Sequence, residues 1–354
     1  MALVACRSGP RPGPPGSAPR SGAILSWMSE SMWWVAVDIG NARVKFGLFA
    51  PDEAPVHGDA LGAKAGRAHA ESGSFRAGSA AGLVEPRATT ACDASPAEFG
   101  HLRTWLAQHG ADHAWWWIAT VNRPATTRLL EWIRQARPAD AITLLSAADL
   151  PLFVRVPRPD MVGIDRLLDA LAANRLRAPG RPAVVVDVGT AITVDLIAPD
   201  GSFLGGAILP GIGMSARAMH EFTDLLPLLS VSELAEPPPV VGTATEPAMR
   251  SGLFWGAVGA VRELVARMSS EAARTNGEAM GRRPAGSPAP AEPAAPTDPT
   301  ALTDPAEVFL TGGAGAAVAG LIGPHARAVP HLTLSGVYLA AQAIRVQVID
   351  RNSP

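Results

Sequence analysis

An α/β protein assembled from two related halves is what the residue pattern of this chain predicts. Short buried-type apolar runs alternate with segments of helical apolar spacing, the pattern of strands covered by helices. A strand, turn, strand unit occurs twice. VAVDIGNARV (35–44) and VVVDVGTAIT (184–193) share Val35/Val184, Val37/Val186, Asp38/Asp187, Gly40/Gly189 and Ala42/Ala191 at a constant offset of 149 residues. A chain of 354 residues also has room for two cores, at about 100–200 residues per domain.

The elements follow in order. Residues 33–50 (WWVAVDIGNARVKFGLFA) are apolar on both sides of a polar turn at Asp38 to Asn41 and read as a β-hairpin. From Pro51 to Ala97 the composition turns to Gly, Ala and Ser, which predicts loops with irregular strands. Residues 97–110 place Phe99, Leu102, Trp105 and Leu106 at helical spacing, with Gly110 as the stop. WWWIATV is a buried strand; its Trp115 to Trp117 run is either an aromatic ligand platform or core packing, and packing is the simpler account. A helix over 126–136 and the strand AITLLS complete an αβαβ order.

After a Pro-rich connection at 151–160 comes an amphipathic helix over 166–177, broken by Pro179 to Pro182. A second hairpin occupies 183–209 with APDG as its turn signal, and helices over 212–222 and 247–271 flank a loop carrying Pro237, Pro238 and Pro239. The strand VFLTGGAG, a helix over 314–322 and a final helix over 336–347 close the pattern. The expected organisation is a disordered tail at 1–31, halves at 32–150 and 151–347, and a short tail at 348–354. Residues 272–306, with seven prolines between Gly281 and Pro305, read as a low-complexity insertion in the second half.

Composition excludes several function classes. A formal net charge of −2, from 30 basic and 32 acidic residues, gives no electrostatic footprint for nucleic acid or an anionic membrane surface. Cys6 and Cys92 are the only cysteines, too few and too far apart for a disulfide framework or a structural zinc site. The eight histidines show no ligand spacing. No apolar run approaches the about 20 residues that cross a bilayer, and the N-terminal stretch lacks a signal-peptide pattern, so a cytoplasmic protein is expected.

The repeated Asp-x-Gly turn has a chemical use. Glycine lets backbone N–H groups approach a phosphate oxygen, and the neighbouring Asp can hold a cation that offsets phosphate charge. Either turn alone is better explained by an Asp bonded to its own turn. The pair, with small polar Asn41 and Thr190 at matching places, favours a phosphate clamp between the halves. LTGG brings Gly312 and Gly313 to a strand end before a helix, where a nucleotide could lie on bare backbone.

The set DIGNARVKFGLF, VGIDRLLDA, DVGTAITVDLI, GGAILPGI, VGTATEPAMRSG and LTGG, in this order, resembles the type III pantothenate kinase family, coenzyme A biosynthesis kinases of the acetate and sugar kinase/heat-shock 70/actin superfamily. The likeness covers residues 33–271 and 306–346. It implies two duplicated ribonuclease-H-like (actin-like ATPase) domains with the active site in the cleft between them. It also implies a homodimer, ATP as phosphoryl donor, Mg²⁺, a monovalent cation such as K⁺ or NH₄⁺, and the conversion of pantothenate to 4′-phosphopantothenate. By this resemblance Asp38, Ile39, Gly40, Asn41, Ala42, Arg43, Val44 and Lys45 form the ATP-phosphate loop, with Asp38 associated with Mg²⁺. Asp187 matches the monovalent-cation ligand and Thr190 a second phosphate contact. Gly163, Ile164, Asp165 and Arg166 match the substrate motif, in which the Asp is general base, and Thr245 matches a pantothenate contact supplied to the neighbouring subunit.

Read from the residues, Asp165 has two roles open to it. A carboxylate that takes the hydroxyl proton contributes about 10²- to 10⁴-fold to phosphoryl transfer; an Asp at a helix start also serves as an N-cap. Arg166 can bind a carboxylate in bidentate fashion or sit in a structural ion pair. Three positions depart from the family pattern: Ala42 replaces a loop Thr, Val156 stands where many members have a substrate Tyr, and Ala244 replaces an Asn. These departures leave open a kinase acting on another small alcohol. A non-catalytic nucleotide-binding transcriptional accessory protein is the reading from a different class.

Overall fold

The computed structural model describes residues 32–50, 82–95, 98–230, 236–281 and 306–352. The expected tail at 1–31, most of the expected loop region at 51–97 and the Pro-rich stretch 282–305 lie outside these residues. Seventeen strands and α-helices occur in the order β1 (Trp33–Ile39), β2 (Arg43–Phe49), β3 (Ala88–Asp93), α1 (His101–Gln108), β4 (Ala114–Thr120), α2 (Arg123–Ala136), β5 (Ala141–Leu144), α3 (Ile164–Leu176), β6 (Ala183–Val188), β7 (Ala191–Ile197), β8 (Phe203–Pro210), α4 (Ile212–Glu221), α5 (Thr245–Gly281), β9 (Glu307–Thr311), α6 (Gly315–Ile322), β10 (Ala326–Ala328) and α7 (Leu332–Asn352), counted among the described residues.

Two five-stranded sheets result, ordered β3-β2-β1-β4-β5 and β8-β7-β6-β9-β10. In the first, β2 is antiparallel to β1 and β3, while β4 is parallel to β1 and β5. The second repeats this order and these senses strand for strand, with β6 in the place of β1. The duplication read from the two hairpins is therefore a duplication of whole ribonuclease-H-like sheets.

Register corrects one detail of the repeat. In the first hairpin Ile39 pairs with Val44, and Gly40 N–H donates to the Arg43 carbonyl at 3.0 Å. In the second Val188 pairs with Ile192, and Gly189 N–H donates to the Ala191 carbonyl at 3.1 Å. The second turn is one residue shorter. Val35/Val184, Val37/Val186, Asp38/Asp187 and Gly40/Gly189 stay equivalent, but Ala42 and Ala191 do not; the residue equivalent to Lys45 is Thr193.

Strand alternation sends successive side chains to opposite faces. Val35, Val37 and Ile39 enter an outer core with Leu102 and Leu106 of α1 and Leu129 and Ile133 of α2. Val184, Val186 and Val194 enter the equivalent outer core with Phe254, Val258 and Val261 of α5. The inner faces, through Trp34, Ala36, Val185 and Phe309, pack on Leu167, Leu168 and Leu171 of α3 and on Leu334 and Tyr338 of α7. Helices α3 and α7 thus fill the space between the sheets. They approach so closely that a Cβ on Gly336 would collide with the Leu168 carbonyl.

Several boundaries move for physical reasons. Helix α2 begins at Arg123 rather than Thr126, because the Asn122 side chain accepts the Ala125 N–H at 3.2 Å and Pro124 suits a first turn. Helix α5 runs on to Gly281, so the first ten residues of the expected insertion are helical. Helix α7 extends to Asn352, which makes most of the expected C-terminal tail helical. The tryptophan run is core, with Trp116 and Trp117 at 0% and 1% exposure. Trp115 and Trp116 donate their ring N–H groups to Thr143 Oγ1 and Asp140 Oδ2, both at 2.9 Å. Gly110 stops α1 at φ +67°, as expected of a left-handed terminator.

Candidate active site

The alternation that builds the cores also sorts the charges. With the odd positions of β1 and the even positions of β6 in the outer cores, Asp38 and Asp187 point inward, each one residue from the end of the central strand of its sheet. On the antiparallel neighbours, the same parity turns Lys45 of β2 and Asp195 of β7 inward. Between the sheets, the first two turns of α3 contribute Asp165, Arg166 and Asp169. Five acids and a lysine from both halves therefore share one cleft at the start of a helix.

Lys45 Nζ lies 3.2 Å from Asp38 Oδ2. Burial works against the Lys45 charge, but Asp38, Asp187 and Asp169 outweigh it and hold the ammonium above its ordinary range. Burial pushes Asp187 up to about 6, with Lys45 pulling the other way and Asp38 adding to the rise. Asp169, 3% exposed, is raised well above the ordinary range by burial and then by Asp187. Asp187 Oδ1 and Asp169 Oδ1 are buried with no hydrogen-bond partner among the described residues. Such oxygens favour a cation or a proton over emptiness.

Asp165 is the second residue of α3, whose N-cap is Gly163. The capping alternative takes a modified form: Asp165 Oδ1 accepts the first-turn N–H of Arg166 at 2.9 Å without being the N-cap itself. A Cβ on Gly163 would stand 2.5 Å from that oxygen, so the Gly-x-Asp spacing lets the carboxylate fold back over the helix start. Burial raises Asp165; the Arg166 N–H lowers it, and the Asp38 charge raises it further. Arg166 is in an ion pair, its guanidinium forked on Asp195.

The other expected site residues fall in distinct places. Asn41, Ala42 and Arg43 are exposed at the first turn, and Asn122 Nδ2 donates to the Gly40 carbonyl at 3.3 Å, tying that turn to α2. Ile39 and Val44 are fully buried in the outer core, so only their backbone is left for a phosphate. Ile164 is likewise buried, in the core between the sheets. Thr190 is exposed at the second turn, its carbonyl accepting Gly211 N–H at 3.0 Å. Gly312, at φ +87°, leaves no room for a Cβ beside Asp187 Oδ1, whereas nothing stands within 4 Å of a Cβ on Gly313. Thr245 opens α5 on the outer face of the second sheet and is exposed; within one chain it is not brought to the acids.

Asp169, Asp195 and Asn122 are the members that sequence reasoning missed. Asp169 is signalled by its position four residues after Asp165, on the same helix face. Asp195 is signalled by a charge inside an otherwise apolar strand run. Among the described residues no group of three or more His, Cys, Asp or Glu is arranged to hold a metal ion alone, and no helix is long and apolar enough to cross a membrane.

The chain matches the family model described as type III pantothenate kinase over residues 34–267. It is 34% identical over 252 residues to the type III pantothenate kinase of Dehalococcoides mccartyi, covering 69% of this chain and 83% of that one. Against the enzymes of that name from Paramagnetospirillum magneticum and Acidiphilium cryptum it is 44% and 36% identical, covering 35% and 48% of this chain. These two matches span 45% and 61% of the relatives' own lengths.

Proposed function

The chain belongs to the type III pantothenate kinase family, and from that premise we propose that it transfers the terminal phosphoryl group of ATP to pantothenate, forming 4′-phosphopantothenate and ADP at the first step of coenzyme A synthesis. The observation that carries the proposal is the convergence of Asp165 with the Asp38–Lys45 pair and Asp187 in the cleft between two like sheets. Phosphoryl transfer needs positioning and charge neutralisation more than covalent chemistry, and this cleft offers both.

Lys45 and the backbone of the Gly40–Arg43 turn hold the ATP phosphates, with Thr190 reaching them from the second turn and Gly313 offering bare backbone to the nucleotide. Asp165 accepts the proton of the acceptor hydroxyl as its oxygen bonds to the γ-phosphorus and the bond to the ADP oxygen breaks. A carboxylate raised by burial is a better base for this than an ordinary one, provided it is ionised at the working pH.

The donor set fits cations. Asp38 is a hard oxygen ligand of the kind that would hold Mg²⁺ together with substrate phosphates. The unpartnered Oδ1 of Asp187 suits a monovalent ion such as K⁺ or NH₄⁺. When bound, these ions offset phosphate charge.

A cytoplasmic homodimer accords with this reading. Exposed Phe222, Leu225, Val240 and Val241 lie in the chain between α4 and Thr245, and Ile208 is exposed on the edge strand β8. These exposed apolar side chains support a second copy packing here, with Thr245 supplied to the partner's acceptor site. Val156, which lies against Gly205 in β8, keeps a different small alcohol as the second reading. Phosphorus NMR of a reaction containing ATP, Mg²⁺, K⁺ and pantothenate tests the proposal. A new phosphomonoester of pantothenate is expected; its absence at stoichiometric enzyme, with ATP still bound, would refute the substrate.

A further inference from the structure

We propose that Asp195 is a positioning residue of the acceptor site, fixing the Arg166 guanidinium beside Asp165 so that its free edge receives the acceptor's carboxylate. The inference rests on reading Asp165 and Arg166 as acceptor-binding residues and goes beyond it by assigning the residue behind them.

Asp195 is 1% exposed on the inner face of β7. Its two carboxylate oxygens each accept from Arg166 Nε at 3.1 Å, and Arg166 Nη2 closes the fork on Oδ1. The guanidinium carbon also lies 5.6 Å from the centroid of the Phe203 ring, at the start of β8. Gly206 sits opposite Asp195 in the β7–β8 register, and a Cβ there would collide with Asp195 Oδ1. Three elements thus hold one side chain: α3 supplies the arginine, β7 the acid, and β8 an aromatic face and the glycine that makes room.

Stability alone is a poor reason for this arrangement. Two buried charges must recover a large desolvation cost, and an apolar pair of similar volume commonly does as well. The position gives a better reason. Arg166 is the chain neighbour of Asp165, and its backbone N–H already bonds that carboxylate. Held on Asp195 through Nε and Nη2, Arg166 keeps its Nη1/Nη2 edge, a planar fork matched to a ligand carboxylate. The side chain is 13% exposed, which leaves that edge reachable. The chemical class it selects is a hydroxy acid whose carboxylate lies at a distance from the hydroxyl presented to Asp165.

The test compares wild type, Arg166→Gln, Asp195→Asn and the double variant, with KM for pantothenate and for ATP, kcat and melting temperature measured on each. Asp195→Asn is expected to raise the pantothenate KM by about tenfold or more with the ATP KM within about twofold, because only the carboxylate contact is lost. The KM of a pantothenate amide, which lacks the carboxylate, is expected to change by less than about twofold. A rise in both substrates' KM together, or a fall in melting temperature alone, would reduce Asp195 to a structural role. In the Arg166→Gln background, changing Asp195 is expected to move the pantothenate KM by less than about twofold; a further rise of about tenfold would overturn the proposal. That comparison does not require Asp195→Asn alone to fold; because Arg166→Gln leaves Asp195 without its charged partner, an Arg166→Met and Asp195→Leu pair, which buries no charge, is measured beside it and should show the same raised pantothenate KM. If the wild-type protein phosphorylates a different hydroxy acid, the assigned substrate fails, and the same four proteins are compared on that acceptor.

Discussion

Replacing Gly312 by Ala separates two explanations for the Thr-Gly-Gly run at the end of β9. Gly312 has φ +87°, a backbone region that costs an L-residue about 1–2 kcal/mol. Its added Cβ would also stand 2.6 Å from the Val188 carbonyl and collide with Asp187 Oδ1. Val188 is backbone of a central strand and does not yield, and the Asp187 carboxylate, whose Oδ1 has no hydrogen-bond partner among the described residues, has to turn away. Overpacking of this kind adds about 1–3 kcal/mol. The expected loss is therefore about 2–5 kcal/mol, or a fall in melting temperature of about 3–7 °C for a protein of this size. Gly313→Ala meets nothing within 4 Å and has an ordinary φ, so its melting temperature should stay with wild type. Its expected effect is on the KM for ATP. Thermal unfolding by circular dichroism, with ATP kinetics on both variants, reads the difference. If Gly312→Ala melted with the wild type, Asp187 would not be packed on Gly312 as described.

Asp165→Asn should lower kcat about a hundredfold or more with ATP binding kept, checked by titration of a nucleotide analogue; undiminished turnover would remove Asp165 from the mechanism. Because burial raises Asp165 and the base acts ionised, kcat/KM should fall as pH drops, with its midpoint above the ordinary carboxylate value of 3.8. A limb centred at or below that value would contradict the described burial. Asp187, raised to about 6, binds a proton more tightly folded than unfolded, so its contribution to stability is lost as pH rises from about 4 to 6. Asp187→Asn should therefore stabilise the protein by up to about 3 kcal/mol at pH near 8 in tetramethylammonium buffer, and by little at pH near 4; a lower melting temperature at the higher pH would count against it. Arg177, 5% exposed, donates to Asn174 Oδ1 and to the Arg181 and Pro199 carbonyls at 2.6, 2.6 and 2.9 Å. Truncating it to Ala leaves those acceptors dry and should cost about 2–4 kcal/mol in denaturant melts; a change under about 0.5 kcal/mol would show that water replaces it.

The two hairpins were legible in the sequence because Asp38, Gly40, Asp187 and Gly189 interrupt apolar runs at turn positions, where chance repeats of hydrophobic residues do not reach. The shorter second turn was not, since a matching alanine on each side hid the missing residue. Strand β10, Ala326–Ala328, has three residues and no apolar alternation, and forms only because β9 offers it a parallel edge. The apolar spacing places the end of α5 too early, because it fades after Glu271, whereas Glu271 to Gly281 contain no proline and the first one after them is Pro284. In the site, the paired turns could be read from spacing, and Asp165 from the resemblance of its Gly-x-Asp-Arg segment to the family motif. Asp195 could not be linked to Arg166, because its partner lies 29 residues away on another element and only the packing of α3 on the inner sheet face brings them together.

Release of ADP, followed by a coupled assay with ATP and Mg²⁺ present, with and without pantothenate and in K⁺ and then Na⁺ buffer, tests phosphoryl transfer from this cleft most directly. Pantothenate-dependent turnover that is faster in K⁺ and lost in Asp165→Asn is the predicted result. ATP bound but no pantothenate-dependent ADP in either salt would contradict it, and would turn Val156 and Ala42 from tolerated departures into marks of a different acceptor or of a protein that binds nucleotide without reacting.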